Sequence, residues 1–505
     1  MADIIKPFKF GCCANPYPTA YDETLSYYEE ICKIAYKLNE IINAQNNLQT
    51  SFEQVQEWVN TQLKTYSMQQ LQEWLNDGTL ETLINQTLFN SKISYYDTLQ
   101  TLKVTPDLVN NQLVKTLGYN AVNDLGECLY LISDTEPESG LYEFLTTSNK
   151  YAKLIIGKRI NVRQWGITGV STTDVTTKFI QLCSNFNYIE CVENDTYLIN
   201  NLQISNNVEI NCNNSTFTKN TTDVIFNVSS EYFNIHDGIV DGAFFTDGYS
   251  HLLTLNNANA NVYIQNMTFK NNIKMNGDIV VQNVNADAIN IENCNYLLIK
   301  NNSISNISRN GISITGAIKD INILSNTIND CYLCGIDIEP NNPLQNMYPL
   351  ITIENNTIND CGRHDTGYVF NSGGAVFIQA PSQQTLQIIE KLYFNSNRIT
   401  NNIYYTYVSG QVAPYMQLRQ YAIMFMSNNY ILNYNRILIG TVQTGSYELT
   451  HISNNYFTYT KPISNNIYVQ PNTGTIFELG NCVKGTLNNA VGSATLIKEN
   501  NSIVA

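Results

Sequence analysis

The sequence predicts a mainly β protein: a right-handed parallel β-helix (a single-stranded solenoid) preceded by an α-helical coiled-coil anchor and a small β-rich module. Three observations predict it. Asparagine-marked apolar motifs recur from about residue 161 to the end, a heptad pattern runs near the start, and short alternating runs bounded by turn residues lie between them. They divide the chain into 1–90, 91–160 and 161–505.

In the first segment, Ile34, Leu38, Ile41, Leu48, Phe52, Val55 and Val59 fall in a 4-3 series, completed by Gln45, Gln62 and Tyr66. That is an a/d heptad seam, in which polar a or d residues fix register or oligomer state at some loss of stability. A helix packed on its own chain through Trp58 and Leu63 is the competing reading. A second helix is expected to stop at Asp77-Gly78, where glycine suits the left-handed cap, and a third to start at Thr79-Leu-Glu81. In the second segment, Leu129-Tyr-Leu-Ile132, Leu141-Tyr-Glu-Phe144 and Ala152-Lys-Leu-Ile-Ile156 read as strands. Asn123-Asp-Leu-Gly126 and Pro137-Glu-Ser-Gly140 read as turns between them.

The third segment carries two parallel repeats. Asn-x-apolar occurs at Asn302-Ser-Ile304, Asn326-Thr-Ile328, Asn356-Thr-Ile358, Asn397-Arg-Ile399, Asn429-Tyr-Ile431 and Asn455-Tyr-Phe457, with steps of 24, 30, 41, 32 and 26 residues. Small-Ile-x-Ile occurs at Ala288-Ile-Asn-Ile-Glu292, Gly311-Ile-Ser-Ile-Thr315 and Gly335-Ile-Asp-Ile-Glu339, with Ala375-Val-Phe-Ile-Gln379 as a fourth copy. A unit of this length with several short strands and no helix is one coil of a β-helix, and the longer steps are coils with loop insertions. Thr327-Ile-Asn-Asp-Cys331 reappears as Thr357-Ile-Asn-Asp-Cys361, so the two segments are expected to stack about 4.8 Å apart with Cys331 on Cys361.

Period-two alternation then buries Ile336 and Ile338 and turns Asp337 and Glu339 outward, roughly 6.5–7 Å apart by strand rise. The stacked copies put Asn290, Ser313 and Phe377 in line with Asp337, and Glu292, Thr315 and Gln379 in line with Glu339. The outcome is a shallow polar strip with an aromatic end, suited to sugars. Two carboxylates about 6.5–9.5 Å apart are the acid and base of an inverting glycosidase. The candidate catalytic residues are therefore Asp337, Glu339 and Glu292. The longest insertion adds Asp360, His364 and Asp365, with Arg363 as a fork for a carboxylate or phosphate. Arg363, Asn290, Phe377 and Gln379 are the candidate binding residues. The competing reading is a strip kept polar for solubility. His236-Asp237-Gly and Asp241-Gly242 read as turns.

Composition narrows the partners. A net charge of −15 argues against nucleic acid. No apolar run reaches the roughly 18 residues needed to cross a bilayer, and Met1-Ala-Asp-Ile-Ile-Lys-Pro7 does not open like a signal peptide, so no membrane insertion is expected. The 12 cysteines, including Cys331-Tyr-Leu-Cys334, lack a second ligand pair at zinc spacing and read as buried thiols. No dense Asp cluster is present, and neither metal nor cofactor is expected.

Arg159-Ile-Asn-Val-Arg-Gln-Trp-Gly166 followed by Thr172-Thr-Asp-Val-Thr-Thr-Lys-Phe-Ile-Gln181 resembles the entry of pectate-lyase-like β-helices of bacteriophage tail spikes. There a helix with an Asp or Thr cap closes the first coil. Here Thr172, Thr173 or Asp174 stands as the cap, with Phe179, Ile180 and Leu182 as the cover; the family's usual Gly-Asp-Gly is replaced by Gly169-Val-Ser171. Lys115–Gly126 is similar to the small module before such helices. Tyr17–Tyr28 with the heptads behind it resembles virion-attachment segments of appendages from phages of low-GC Gram-positive hosts. The resemblance implies a homotrimeric receptor-binding appendage of the virion, made in the host cytoplasm. It would be joined to other tail or neck proteins by its N-terminal segment and directed at host cell-surface polysaccharide, capsule or teichoic acid. Three functions stay open: a glycan depolymerase, a non-enzymatic adhesin, and a structural fibre. The 33 tyrosines, among them Tyr404, Tyr405, Tyr407, Tyr415 and Tyr421, suit the adhesin.

Overall fold

The computed structural model describes residues 93–504 apart from short internal segments, the longer of which are 340–347, 363–373, 379–388, 402–414 and 441–447. The heptad segment, Arg363, His364, Asp365, Gln379, Tyr404, Tyr405 and Tyr407 lie outside the described residues. The chain divides into two compact units.

The smaller unit holds a five-stranded sheet, β1 (Ser94–Tyr96), β2 (Leu113–Thr116), β3 (Cys128–Ser133), β4 (Glu143–Leu145) and β5 (Tyr151–Leu154), in the order β1-β2-β3-β5-β4. β1 and β2 pair in parallel and the other neighbours are antiparallel. Alternation drives it: Cys128, Tyr130 and Ile132 are buried while their neighbours are half-exposed. One short helix, α1 (Leu99–Lys103), is capped by Thr98, whose hydroxyl accepts the Thr101 N–H at 3.2 Å.

The larger unit takes in Gly118–Glu127 and, from Lys158 onward, β6 (Arg159–Asn161) and a helix α2 (Thr176–Asn185). Phe179 and Leu182 of α2 are fully buried, and Phe179 meets the rings of Tyr197 and Phe217 edge-on at 5.3 and 5.6 Å. The helix N-cap is Val175 rather than a residue of Thr172–Asp174. Asp174 nonetheless does the work of a cap, because its Oδ1 accepts the Thr176 N–H at 2.8 Å.

From Tyr188 onward the unit is mainly β, a large sheet of parallel strands consistent with a β-helix. Three apolar columns run up it. Ile264, Ile299, Ile323, Ile353, Phe394, Met426 and Ile452 form one. Phe269, Ile304, Ile328, Ile358, Ile399, Ile431 and Phe457 form the second. Leu255, Ile291, Ile314, Ile338, Ile378, Leu418, Ile439 and Val469 form the third. Each such side chain taken from water contributes about 1.5–3 kcal/mol.

The predicted register is observed: Thr327, Ile328 and Asn329 pair with Thr357, Ile358 and Asn359. The thiols of Cys331 and Cys361 are buried against each other, with burial holding Cys331 well above the ordinary thiol range. The described cysteines are buried, apart from the half-buried Cys482. Glycine in the small-Ile-x-Ile repeat has a steric cause. A Cβ on Gly335 would lie 2.7 Å from the Ala375 carbonyl oxygen and 2.8 Å from Ile358 Cγ2.

The asparagines of the other repeat are buried, and each serves the coil before it. Asn326 Oδ1 accepts both the backbone N–H and the Nδ2–H of Asn302, at 2.9 and 3.0 Å, while its own Nδ2 donates to Ile299 O at 2.9 Å. The arrangement repeats at Asn356, Asn397, Asn429, Asn455, Asn481 and Asn501. The residue ahead of each turns the chain in the left-handed region: Asn301, Ser325, Asn355, Ser396, Asn428, Asn454, Gly480 and Asn500. Asparagine and glycine reach that region at least cost. Removing a mid-ladder member orphans two buried donors and one carbonyl, each worth about 1–3 kcal/mol. Asn356→Ala is therefore expected to lower unfolding stability by at least about 2 kcal/mol, and the half-buried Asn501→Ala by clearly less. Urea denaturation of both variants measures the difference.

Candidate functional site

The predicted row is present. Asn290, Ser313, Asp337 and Phe377 are consecutive partners on neighbouring strands, and Gln417 extends the row beyond Phe377. It differs from expectation in one respect: the row is not a shallow open strip. Asp337 is only 5% exposed, and Asn290, Ser313, Phe377 and Gln417 are equally buried. Alternation fixes the side of the strand on which a residue lies, and outward on this strand is not solvent. Phe377 packs with Leu333 and Cys334. Three polar atoms of the row, Ser313 Oγ, Asp337 Oδ1 and Gln417 Oε1, are buried without a hydrogen-bond partner. Native interiors seldom leave such atoms unmatched, and a functional site is one of the recognised reasons.

Asp337 carries the strongest electrostatic signature. Burial pushes its carboxyl up from 3.8 to about 8; Glu339 and Asp287 add to the rise, and Arg309 and the Asn310 side chain oppose it. Burial also raises Glu339, against the pull of Arg309. Glu339 itself is half-exposed, and its backbone N–H donates to Ile314 O at 2.9 Å. The pair is therefore one carboxyl held in the protein, neutral at pH 7, and a second at its edge.

Around the pair stand residues that sequence reasoning missed. Asp287 is fully buried; its Oδ2 takes Arg309 Nη1 at 2.8 Å and lies 3.2 Å from His251 Nδ1. Its Oδ1 accepts the Asn310 N–H at 2.9 Å, and Asn310 Nδ2 donates to Asp337 Oδ2 at 2.9 Å. A signal for them existed: Asp287, Asn310 and Cys334 each stand immediately before a copy of the small-Ile-x-Ile repeat.

Glu292 follows Ile291, which stays in line with Ile314 and Ile338. Pairing shifts between Leu255 and Asn256, and Glu292 Oε2 turns to the preceding coil, accepting from Asn256 Nδ2 at 2.6 Å. Gly316 packs closely on this strand: a Cβ there would fall 1.1 Å from the Glu292 carbonyl oxygen. Asp360 serves a turn, with φ of 53°. His236, Asp237 and Asp241 lie within one strand, Tyr232–Asp241, kinked at Asp237 (φ 60°). His236 Nδ1 is 2.7 Å from Asp237 Oδ2. Tyr421 does not belong to a binding surface: it is buried, with its hydroxyl 3.1 Å from Thr450 Oγ1. A different aromatic row is present instead. Tyr393, Phe425, His451 and Phe477 are successive partners, half-exposed, with ring centroids 5.4, 5.9 and 6.0 Å apart.

No protein-family model and no curated protein matches the chain. Solved structures do. The tailspike protein gp49 of Acinetobacter baumannii bacteriophage Fri1, described as a capsular polysaccharide depolymerase, is 14% identical; the match covers 82% of this chain and 76% of that one, with a TM-score of 0.49. The gp42 tailspike of Acinetobacter phage vb_AbaP_AS12 is 11% identical over 81% of this chain and 74% of its own, with a TM-score of 0.40. Pantoea stewartii WceF, described as a glycan biofilm modifying enzyme with a tailspike-like parallel β-helix fold, is 10% identical over 79% and 48%, with a TM-score of 0.41. The chain is similar to phage tailspike proteins. Among the described residues no helix is long and apolar enough to cross a membrane, and no group of three His, Cys, Asp or Glu is gathered as for a metal ion.

The raised carboxyl of Asp337 has a consequence for stability. The folded state binds its proton more tightly than the unfolded chain, so this contribution is complete below about pH 4 and is lost as pH rises through about 8. Asp337→Asn, which keeps the shape without the titration, is expected to flatten that loss. Urea midpoints of the two chains should diverge between about pH 5 and pH 9, the parent falling further; parallel curves would place the proton elsewhere.

Proposed function

We propose that this protein is a phage tail spike or appendage protein that binds host cell-surface glycan (capsule, exopolysaccharide or teichoic acid) and cleaves it with Asp337 and Glu339. The single observation that carries the cleavage is the pairing of a buried, proton-holding Asp337 with a half-exposed Glu339 just past the end of the same strand, Cys334–Ile338. If extended spacing continues through Glu339, the two carboxyls stand roughly 6.5–7 Å apart, at the short end of the inverting window. A carboxyl kept neutral at pH 7 is a general acid, and its neighbour at the edge is the group to activate water. Asn290 lies in the same row for positioning sugar hydroxyls; Arg363, His364, Asp365 and Gln379 remain candidates by sequence.

Right-handed winding of the coils is part of this reading, supported by the hand of nearly all parallel crossovers. So are the 1–90 coiled-coil anchor to other virion proteins, the 91–160 β-rich linker, the homotrimer and the place on the virion. Each rests on the heptads and the ordered resemblance along the chain.

A second reading has its own observation. The half-exposed Tyr393–Phe425–His451–Phe477 row offers ring faces at coil spacing, which suits a glycan-holding adhesin without chemistry.

Two measurements separate them. Asp337→Asn and Glu339→Gln are each expected to reduce release of reducing ends or unsaturated sugars from host cell-wall glycan by at least about a hundredfold, in line with loss of an acid or base, while cell binding persists. Retained release in both variants would remove this pair from the mechanism. Phe425→Ala with Phe477→Ala is expected to weaken cell adsorption several-fold and leave release per bound protein unchanged, as read by fluorescent-protein binding to host cells.

A further inference from the structure

Behind Asp337 a second column of polar side chains crosses the coils. His251 lies beside Asp287, Asp287 beside Asn310, and Asn310 pairs with Cys334. Asn310 cannot be reversed within it. Its Oδ1 accepts the Cys334 N–H at 3.1 Å, which obliges its Nδ2 to face Asp337 Oδ2, 2.9 Å away. Asp287 holds Asn310 from the other side by accepting its backbone N–H at 2.9 Å. With Oδ2 engaged as an acceptor, the proton of a neutral Asp337 rests on Oδ1, the buried oxygen with no partner in the protein.

Asp287 has a second effect. Arg309 is a cation that acts on both carboxyls, and its Nη1 is bound to Asp287 Oδ2 at 2.8 Å. That ion pair offsets part of the pull by which the guanidinium draws Asp337 and Glu339 toward their charged forms. The groups facing Asp337 are Cys334 on its own strand, Glu339 just beyond the strand's end, Arg309 and Asp287 from preceding coils, and Tyr348 from the following strand, with His251 placed 3.2 Å from Asp287.

We propose that Asp287 is a positioning residue for the acid of this site: through Asn310 it fixes Asp337 with Oδ1 as the proton-bearing atom, and through Arg309 it keeps that proton in place. The assignment rests on Asp337 being the acid, and its test reads the proton directly.

In the full chain, the protonated Asp337 carboxyl is followed by infrared difference spectra against Asp337→Asn across pH. Asp287→Asn leaves Arg309 uncompensated and removes a like charge, so the midpoint is expected to fall by at least about one pH unit. Arg309→Gln moves it the other way, and the double variant returns it toward the parent. A structural role alone would lower the urea midpoint of Asp287→Asn and leave the carboxyl titration where it was; that result, or an upward shift, overturns the proposal. Should Asp287→Asn fail to fold, Arg309→Gln decides the matter: an upward shift supports the proposal and an unmoved midpoint overturns it. If the midpoints move as stated while no chain releases glycan, the positioning role stands and the cleavage reading falls.

Discussion

A solenoid of parallel strands has to satisfy the backbone at every corner it turns, and here one buried amide per coil does it. Each asparagine of the ladder takes two donors from the coil before and returns one to a carbonyl beneath. In a dry corner an unmatched donor is far more damaging than a made hydrogen bond is helpful. The interaction therefore acts as a register constraint. A coil that slipped by one residue would orphan its own asparagine and its neighbour's, and would turn the apolar columns outward. The alignment of Asn290, Ser313, Asp337, Phe377 and Gln417 follows from that register.

The same alignment explains why the candidate site is electrostatically unusual. Parallel stacking places like positions of successive coils side by side, so carboxylates that are distant in sequence become neighbours in a low dielectric. Asp287 and Asp337, on coils two apart, sit on opposite sides of one asparagine. Two buried charges of one sign cannot both be retained without a cation. Asp287 takes Arg309, and Asp337 takes a proton.

Much of this was legible in the sequence because it is periodic. The Asn-x-apolar and small-Ile-x-Ile repeats gave the coils and their pairing, and the Thr-Ile-Asn-Asp-Cys copies gave the register residue by residue. What was not legible depends on neighbours that periodicity does not reveal. Alternation said that Asp337 points away from Ile336 and Ile338, but not that the outer side is covered. Glu292 occupies the position matching Glu339 in the repeat, yet its carboxylate is engaged by Asn256 of the preceding coil, a partner the repeat does not reveal. The repeat marks the positions of Asp287 and Asn310, but their link to Asp337, and that of Arg309, is visible only in the three-dimensional stack. Tyr421 counted as a surface aromatic by composition, although its ring fills the interior; the exposed row is mixed, Tyr393, Phe425, His451 and Phe477, and so has no single-residue signature. Asp174 was rightly marked at the start of α2 but acts from one position before the cap.

The asparagine ladder also bears on how such a chain changes over generations. Its links span 24, 30, 41, 32, 26, 26 and 20 residues with the same geometry. The ladder counts turns of the chain, not residues. An inserted segment between two rungs lengthens the connection without displacing either rung, and the closure entropy of a longer loop grows only slowly, by about 0.6 kcal/mol per doubling. Surface loops can accordingly be gained, lost or exchanged one coil at a time while the interior retains its pairing. Surface recognition in such an architecture is free to diversify faster than the frame that carries it.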